Sequence, residues 1–287
     1  MNVVIVGVGL IGGSVALELK ESGFATTITG IETDSENAAQ ALKLGLVDRL
    51  GTLEESIPKA DLVVISTPVN IIEEMISPIL SLAGPQTTVS DFGSTKESIT
   101  SHISKHPKRE QYVPAHPMAG TENSGPQAAI KNLFRGKTAV ICDRDQSGKQ
   151  HLQAVEKVLK LLGMRCLYMN SKEHDRHVAF VSHLSHISSF ILANTVLDIE
   201  RDTATIFDLA SGGFESTVRL GKSSPEMWAP IFEQNKKNVL EALEAYIRHL
   251  EKFRNSLSKE NTSETRSILS QANGIRRVLD SINKGKT

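Results

Sequence analysis

The chain begins with an apolar run that leads directly into a glycine-rich turn. Residues 3–6 are Val-Val-Ile-Val, and residues 7–13 are Gly-Val-Gly-Leu-Ile-Gly-Gly. Four consecutive β-branched residues that end at a glycine are typical of a strand buried on both faces of a parallel sheet. Because such a sheet needs helices on both faces to bury it, this opening favours an α/β fold.

The glycines of this turn match the Gly-x-Gly-x-x-Gly pattern of dinucleotide-binding proteins. Gly7 allows the tight turn, Gly9 lets a pyrophosphate approach the backbone, and Gly12 lets the next helix pack close to the strand. The phosphates would then lie against backbone N–H groups at the start of that helix, around Leu10 and Ile11. The alternative is an ordinary strand–helix–strand unit whose glycines serve only the turn.

Two further strand ends extend this cofactor prediction. A strand over residues 27–31 ends at Glu32, about twenty residues after the last glycine of the pattern. A carboxylate there accepts hydrogen bonds from the ribose hydroxyls and repels a 2′-phosphate, so NAD is favoured over NADP. The next buried strand ends at Ser66, Thr67 and Pro68, which we expect at the same ligand-binding edge of the sheet.

Strands and helices alternate as far as residue 169, and only helical spacing follows. We therefore predict an α/β chain with a doubly wound Rossmann-type domain over residues 1–170 and an all-α dimerisation domain over residues 171–287. A long helix is predicted for Lys172–Arg201, and the segment from Ala210 to Leu220, around Gly212-Gly213, is predicted to form a break between helices. The apolar stripes of these helices need a partner, which a homodimer or a bundle within one chain would provide.

Composition limits the classes of partner. A length of 287 residues suits two domains, and a formal net charge of -1 argues against a general affinity for nucleic acid or membranes. No signal-like segment and no apolar run of membrane-spanning length is predicted, so a cytoplasmic protein is expected. Cys142 and Cys166 lie far apart with no second ligand at metal spacing, which predicts free thiols.

A histidine is the first candidate for chemistry. His116 follows a short strand at the ligand-binding edge, between Pro114 and Pro117. An imidazole can take a proton near neutral pH, which suits a base that acts on a hydroxyl. Ser94 and Lys96 follow the neighbouring strand and could hydrogen-bond this imidazole or the substrate. The alternative is a histidine that only packs or caps the loop, and spacing alone does not choose between the two.

The helical half contributes further histidines and an arginine. His174 and His177, and then His183 and His186, form pairs that share a helix face. No carboxylate or cysteine completes a plausible ligand set, so no metal site is predicted, and contacts to an anionic substrate or helix packing are favoured. Arg219 follows the glycine pair and could clamp a carboxylate in bidentate fashion, although surface arginines are common.

Five segments of the chain, taken together and in order, resemble one known family. They are Gly7 to Gly12, Asp-Phe-Gly-Ser-Thr-Lys at 91–96, His-Pro-Met-Ala-Gly-Thr-Glu at 116–122, Ser-His-Leu-Ser-His at 182–186, and residues 212–219 followed by Trp228. This arrangement is similar to the prephenate dehydrogenase family of tyrosine biosynthesis, which includes arogenate and cyclohexadienyl dehydrogenases. The segment at 116–122 is the most specific element, and the glycine pattern is the least specific.

The resemblance implies an activity and a role for each matching residue. Prephenate and NAD would give 4-hydroxyphenylpyruvate, carbon dioxide and NADH, with His116 taking the proton of the ring hydroxyl as hydride leaves the same carbon. The serine that matches Ser94 orients that histidine in the family. The remaining matches imply substrate contacts: Arg219 with the ring carboxylate, His186 and nearby Ser182 with the side chain, and Thr121 and Trp228 in the pocket.

Two departures from the family pattern narrow these expectations. Some relatives carry an acidic residue at the position of Ser216, paired with the glutamate that matches Glu122, so a gate of that kind is not expected here. Several relatives carry a regulatory ACT domain after the helices, whereas this chain ends at Thr287. Tyrosine inhibition through such a domain is therefore not expected.

Three alternatives to a prephenate dehydrogenase remain. An arogenate dehydrogenase would give tyrosine directly, and one keto-to-amino change does not separate the two substrates in the sequence. A two-domain hydroxyacid dehydrogenase typically uses a lysine of the helical domain as acid, and no equivalent stands out. A nucleotide-sensing protein without catalysis would not need His116, Ser94 and Arg219 together.

Overall fold

The computed structural model of the protein describes residues 1–200 and 206–284. Arg201, the predicted end of the long helix, lies outside the described residues. By contacts the chain divides into two compact units, Met1–Lys236 and Lys237–Thr287. All of the residues predicted to bind a cofactor or substrate belong to the first unit.

One eight-stranded sheet organises the first unit. Its strands follow the spatial order β3-β2-β1-β4-β5-β6-β7-β8, and every neighbouring pair is parallel except β6 with β7. The strands are β1 (Asn2–Val6), β2 (Thr27–Ile31), β3 (Arg49–Leu50), β4 (Leu62–Ile65), β5 (Thr88–Asp91), β6 (Tyr112–Pro117), β7 (Thr138–Cys142) and β8 (Arg165–Met169).

The first strand is buried on both faces, as its apolar run predicts. Val3 and Ile5 belong to a hydrophobic cluster on one face of the sheet, and Val4 and Val6 belong to the cluster on the other. The sheet is therefore covered on both faces, and the predicted doubly wound α/β fold is confirmed. Its helices are α1 (Leu10–Glu21), α2 (Ser35–Lys43), α3 (Leu53–Ser56), α4 (Val69–Leu82), α5 (Glu97–His102) and α6 (Lys149–Leu161).

The predicted long helix is present as one continuous helical run, Ser171–Glu200. Within it, α7 (Ser171–Val178) and α8 (Leu184–Glu200) are joined by a wider π turn over Ala179–His183. The predicted break over residues 210–220 is wrong in one respect, because a short helix, α9 (Gly212–Val218), lies within it. Glycine destabilises a helix mainly in its interior, and these two glycines occupy the first two positions.

Four further helices follow among the described residues. α10 (Pro225–Gln234) ends before Asn235, and α11 (Lys236–Ser258) begins directly after that residue. The last two are α12 (Thr262–Ala272) and α13 (Arg276–Lys284). Asn261 caps α12 by accepting a hydrogen bond from Glu264 N.

One described helical run departs from the expectation that no apolar segment could span a bilayer. Ser171–Glu200 contains an 18-residue window of mean hydropathy 1.2, of which only 11% is buried. Length and composition cannot distinguish a membrane span from a helix that protein covers, and one such helix is weak evidence for a membrane. The start of this run carries His174 and Asp175, which are buried inside the first unit.

Gly12 provides a test of the packing between α1 and β1. A Cβ there would lie 2.2 Å from Gly7 O, 2.4 Å from Ser66 Oγ and 2.8 Å from Ile5 Cγ2. Because a backbone carbonyl cannot move aside cheaply, we expect Gly12→Ala to lower the free energy of unfolding by about 3 kcal/mol. Denaturant unfolding measures this change. Gly9→Ala is the matched control, and an equal loss of stability in both variants would contradict the packing argument.

Candidate active site

Two of the predicted cofactor segments meet at the carboxyl edge of the sheet, where β1 lies between β2 and β4. Gly7 adopts the left-handed conformation with φ of 85°, and Ser66 Oγ donates a hydrogen bond of 2.8 Å to Gly7 O. Thr67 contacts the same glycine, since a Cβ on Gly7 would lie 2.8 Å from Thr67 Cγ2. Pro68 follows directly and is the N-cap residue of α4. This edge is the switch point at which doubly wound sheets bind nucleotides.

Gly9 fits a bound dinucleotide for a reason that the other glycines of this turn do not share. Its φ of -88° is open to any residue, and a Cβ there would meet no protein atom within 4 Å. The fold itself therefore does not require glycine at this position. Helix α1 also has no side-chain cap, so the first N–H groups, from Leu10 to Gly12, are available to an anion. Both observations fit a pyrophosphate that passes over Gly9.

Glu32 lies at the end of β2 beside this turn. One carboxylate oxygen accepts a hydrogen bond of 3.1 Å from Val8 N, and the other accepts from Thr33 N at 3.0 Å and Asp34 N at 3.2 Å. The carboxylate is thus fixed in place by the backbone. A carboxylate has about four lone-pair sites, so it keeps capacity for a ribose hydroxyl.

His116 lies in β6, where it pairs with Val140 of the antiparallel neighbour. The side chain is 8% exposed, and its Nδ1 lies 2.8 Å from Nε2 of His174. Burial lowers the pKa of His116 well below its usual range, and positive charge on His174 or His183 when these are protonated, and on Lys96, lowers it further. The neutral imidazole, which is the form that can accept a proton, therefore predominates at pH 7.

Two predicted neighbours of this histidine differ from expectation. Lys96 is completely buried and its ammonium group pairs with Asp91, so it does not reach the imidazole. Ser94 is half-buried and, within residues 1–200 and 206–284, its hydroxyl makes no hydrogen bond to His116. The partner of the histidine is instead His174, which the sequence pattern assigned only to a helix face.

A second group of predicted residues surrounds the indole of Trp228. His186 stacks on this ring at 3.6 Å between centroids, and its Nδ1 lies 3.0 Å from Ser182 O. His183 meets the indole edge-on at 5.8 Å between centroids, and burial lowers the pKa of His183 to about 4. The Nε1 atom of Trp228 is enclosed and has no hydrogen-bond partner among the described residues.

Arg219 lies in the turn after α9 and pairs with the carboxylate of Glu122. Its Nη1 donates a hydrogen bond of 2.9 Å to Oε2 of Glu122, and the Arg219 side chain is 50% exposed. Thr121 precedes this glutamate, and its hydroxyl accepts a hydrogen bond of 3.2 Å from Asn123 N. An arginine has five donors, so a pairing through Nη1 leaves donors for a carboxylate ligand.

The cofactor edge and the indole group are connected by packing. Val69, next to Pro68, belongs to one hydrophobic cluster with Trp228 and Ile231. Gln234 of α10 reinforces this contact, because its Nε2 donates to Val69 O at 3.2 Å and to Glu73 Oε2 at 2.6 Å. Residues from distant parts of the sequence therefore pack together beside the carboxyl edge of the sheet.

Sequence reasoning missed three residues of this site: Asp175, Gln234, and His174 as a partner of His116. The adjacent pair His174-Asp175 on the first turns of a helix is a signal that could have been noticed. Gln234 offers none, because its role depends on tertiary contacts. Among the described residues, no three His, Cys, Asp or Glu side chains are placed to hold a metal ion.

A doubly wound sheet with this glycine turn, an acidic residue after β2 and a buried neutral imidazole at its edge defines a nucleotide-dependent dehydrogenase. Comparison with models of known protein families identifies which family of dehydrogenases this is. Residues 15–168 match the nucleotide-binding domain of prephenate dehydrogenase, and residues 170–271 match its dimerization domain. The chain belongs to the prephenate dehydrogenase family.

Individual relatives agree with this assignment. The chain is 31% identical to prephenate dehydrogenase of Bacillus subtilis, over 99% of this chain and 77% of that protein. It is similar to the crystal structure of prephenate dehydrogenase from A. aeolicus in complex with hydroxyphenyl propionate and NAD+, with a TM-score of 0.86, 31% identity, and 97% and 98% of the two chains covered. Arogenate dehydrogenase of Synechocystis gives a TM-score of 0.74 and 27% identity, with 97% of this chain and all of that chain covered.

Gly9 allows cofactor binding to be tested apart from folding. Because a Cβ there meets no protein atom but enters the space above the turn, Gly9→Ala should leave the melting temperature unchanged. We expect its Kd for NAD to rise by about tenfold or more, which is a loss of at least about 1.4 kcal/mol of binding free energy. Isothermal titration calorimetry measures both proteins. An unchanged Kd would mean that the pyrophosphate does not cross this residue.

The protonation of His116 gives a second test. Because burial disfavours the imidazolium, the ring should stay neutral at pH 7 and take up its proton only below the ordinary histidine value of about 6.5. An NMR titration of the ring protons, assigned with His116→Asn, measures the midpoint. His249, on α11, is a reference within the same spectrum. A midpoint at or above 6.5 would contradict the buried environment.

Proposed function

We propose that this protein is an NAD-dependent prephenate dehydrogenase, which converts prephenate to 4-hydroxyphenylpyruvate, carbon dioxide and NADH in tyrosine biosynthesis. The observation that carries the proposal is the buried neutral His116 at the carboxyl edge of the sheet, in the same unit as the Gly9 turn and Arg219. Membership of the family and the two-carboxylate chemistry of prephenate agree with it.

Each residue has a defined task in this proposal. Bound NAD supplies the hydride acceptor, held by Gly7, Gly9, Gly12 and Glu32, with Ser66, Thr67 and Pro68 along the neighbouring strand end. Nε2 of His116 accepts the proton of the ring hydroxyl, which leaves a carbonyl on the oxidised carbon. The ring carboxylate then departs as carbon dioxide, its electron pair makes the ring aromatic, and the carbonyl oxygen takes a proton to become the phenol.

The substrate contacts follow from charge and shape. A protein with almost no net charge must supply a local cation for prephenate, and Arg219 has unused donors for the ring carboxylate. His186, Ser182, Thr121 and Trp228 would surround the rest of the substrate. Ser94 remains a proposed contact near His116, although their hydroxyl and imidazole are not hydrogen-bonded to each other here.

Arogenate is the second candidate substrate, because its amino group replaces a keto group far from the reacting carbon. The Synechocystis relative is an arogenate dehydrogenase. Parallel kinetics with prephenate and arogenate, each with NAD and NADP, separate these possibilities. Turnover of neither substrate would refute the proposal.

We also propose that the protein acts as a cytoplasmic homodimer. The match to a dimerization domain supports this, as do the exposed apolar side chains of α8, including Ile191 at 58% and Ile199 at 52% exposure. A division of function near residue 170 agrees with the boundary between the two family models, whereas contacts alone divide the chain at Lys236.

Two substitutions should separate chemistry from binding. His116→Asn removes the base, so kcat should fall by about 10²- to 10⁴-fold while KM changes little. Arg219→Gln removes a contact made equally to the ground state and transition state, so KM for prephenate should rise by about tenfold or more while kcat changes little. NADH formation at 340 nm measures both.

Arg135→Gln is the control for loss of an arginine charge, since Arg135 is exposed and lies outside the site. It should behave like the unmodified protein. Loss of kcat in Arg219→Gln without a rise in KM would contradict the carboxylate clamp. Full activity of His116→Asn would refute the assignment of the base.

A further inference from the structure

Three buried side chains form a continuous hydrogen-bonded line behind the proposed base. Nδ1 of His116 lies 2.8 Å from Nε2 of His174, and Nδ1 of His174 lies 2.7 Å from Oδ1 of Asp175. His174 is 1% exposed and Asp175 is 2% exposed. The line therefore lies within the protein interior, where hydrogen bonds are electrostatically stronger than in water.

Asp175 is fixed by the backbone as well as by this histidine. Its Oδ1 accepts a hydrogen bond of 2.8 Å from Lys96 N, and its Oδ2 accepts one of 2.8 Å from Glu97 N. These N–H groups belong to the start of α5, so the carboxylate is held against a helix N-terminus, which favours negative charge. The position of His174 is thereby set relative to the loop that follows β5.

The chemistry of the three groups determines where each proton lies. A carboxylate only accepts hydrogen bonds, so Nδ1 of His174 must carry the proton that it shares with Asp175. In the neutral ring, Nε2 of His174 is then an acceptor, and it can accept only from a proton on Nδ1 of His116. The lone pair of His116 is consequently on Nε2.

That lone pair is the one the reaction needs. Nε2 of His116 has no hydrogen-bond partner among the described residues, and it is not one of the fully enclosed polar atoms that lack a partner. It is thus the ring nitrogen that a ligand can reach. With the opposite tautomer this nitrogen would carry a proton and could not act as a base.

We propose that His174 and Asp175 are positioning residues that hold His116 in the Nδ1–H tautomer, so that its Nε2 lone pair faces the substrate hydroxyl. When Nε2 takes the proton, the Nδ1–H group of the new imidazolium still donates to His174, and no further proton has to move. This inference rests on the proposed function for the identity of the substrate, but the tautomer itself can be measured without any substrate.

Other charged and titratable groups face His116 and stay in place in the test. They are Lys96, which pairs with Asp91 behind the loop after β5, and His183 on the π turn. His183 does not belong to the line, because its Nδ1 lies 3.3 Å from Nδ2 of Asn235. A change confined to His174 therefore tests the line and leaves these neighbours intact.

The experiment compares His174→Phe with His174→Gln. Phenylalanine removes the acceptor, whereas a glutamine oxygen can occupy about the place of Nε2 and accept from His116. We expect kcat of His174→Phe to fall by roughly 30- to 100-fold while KM is nearly unchanged. This loss is only part of the contribution of a positioned base, because His116 itself is still present. In a plot of kcat against pH, the acid limb of His174→Phe should move to lower pH. The reason is that the His116 imidazolium loses the acceptor that stabilises it, so the pKa of His116 falls. His174→Gln should recover most of kcat and most of the shift.

Nitrogen-15 NMR of the histidine rings gives the readout that needs no turnover. The unmodified protein should show His116 with a proton on Nδ1 and a bare Nε2, and His174→Phe should show a mixture of tautomers. His174→Phe added to His116→Asn should lower kcat no further, since the effect passes through His116. His151→Phe is the matched control, because His151 is also buried and bonds Thr88 Oγ1 at 2.8 Å, outside the site.

Each result is decisive. A bare Nδ1 on His116 in the unmodified protein would overturn the inference. So would a pH profile of His174→Phe that superimposes on the profile of the unmodified protein. Neither result would contradict prephenate turnover itself. If His174→Phe does not fold, the tautomer of the unmodified protein and the profile of His174→Gln still decide. The expected tautomer in a protein that turns over no prephenate would keep the line and refute the proposed function.

Discussion

The close approach of α1 to β1 is the constraint on which the rest of the site depends. Only a hydrogen atom fits at Gly12 between the helix and the carbonyl of Gly7, so the start of the helix is held directly above the end of the strand. The free N–H groups of that first turn then face the carboxyl edge, together with the segment after β4. Because β6 ends at the same edge, the proposed base and the proposed cofactor site share one edge of the sheet.

The sequence predicts most of this framework because the framework is local or periodic. The β-branched run, the glycine spacing and the acid after β2 each have a physical cause within about thirty residues. The strands predicted at residues 3–6 and 27–31 are found at Asn2–Val6 and Thr27–Ile31. The exceptions are instructive: Gly212 and Gly213 begin a helix instead of breaking one. Glycine weakens helices by a modest free energy, which neighbouring contacts can outweigh.

The contacts of the candidate site were less predictable, since they join elements far apart in the chain. Lys96 was expected to hydrogen-bond the imidazole or the substrate, yet its ammonium is buried against Asp91, as a buried charge must be paired. His174 was grouped with the other helix histidines, and only the packing of α7 against the loop after β5 brings it to His116. Arg219 likewise meets Glu122 only because the fold brings these distant residues together. Glu122 therefore has a partner even though Ser216 stands where some relatives carry an acidic residue.

The π turn between α7 and α8 decides which histidines can act together. His174 and His183 are nine residues apart, which in a regular α-helix is about two and a half revolutions and would put them on opposite sides of the cylinder. Both are only 1% exposed. The surplus residue accommodated by the wider turn rotates the second ring back toward the interior. Removing that one residue would let the turn close as regular α-helix with α8 at nearly the same rotation. If the turn became regular at constant length, α8 would instead rotate by roughly a quarter revolution and carry His186 away from the indole, so the wider turn itself sets the position of His186.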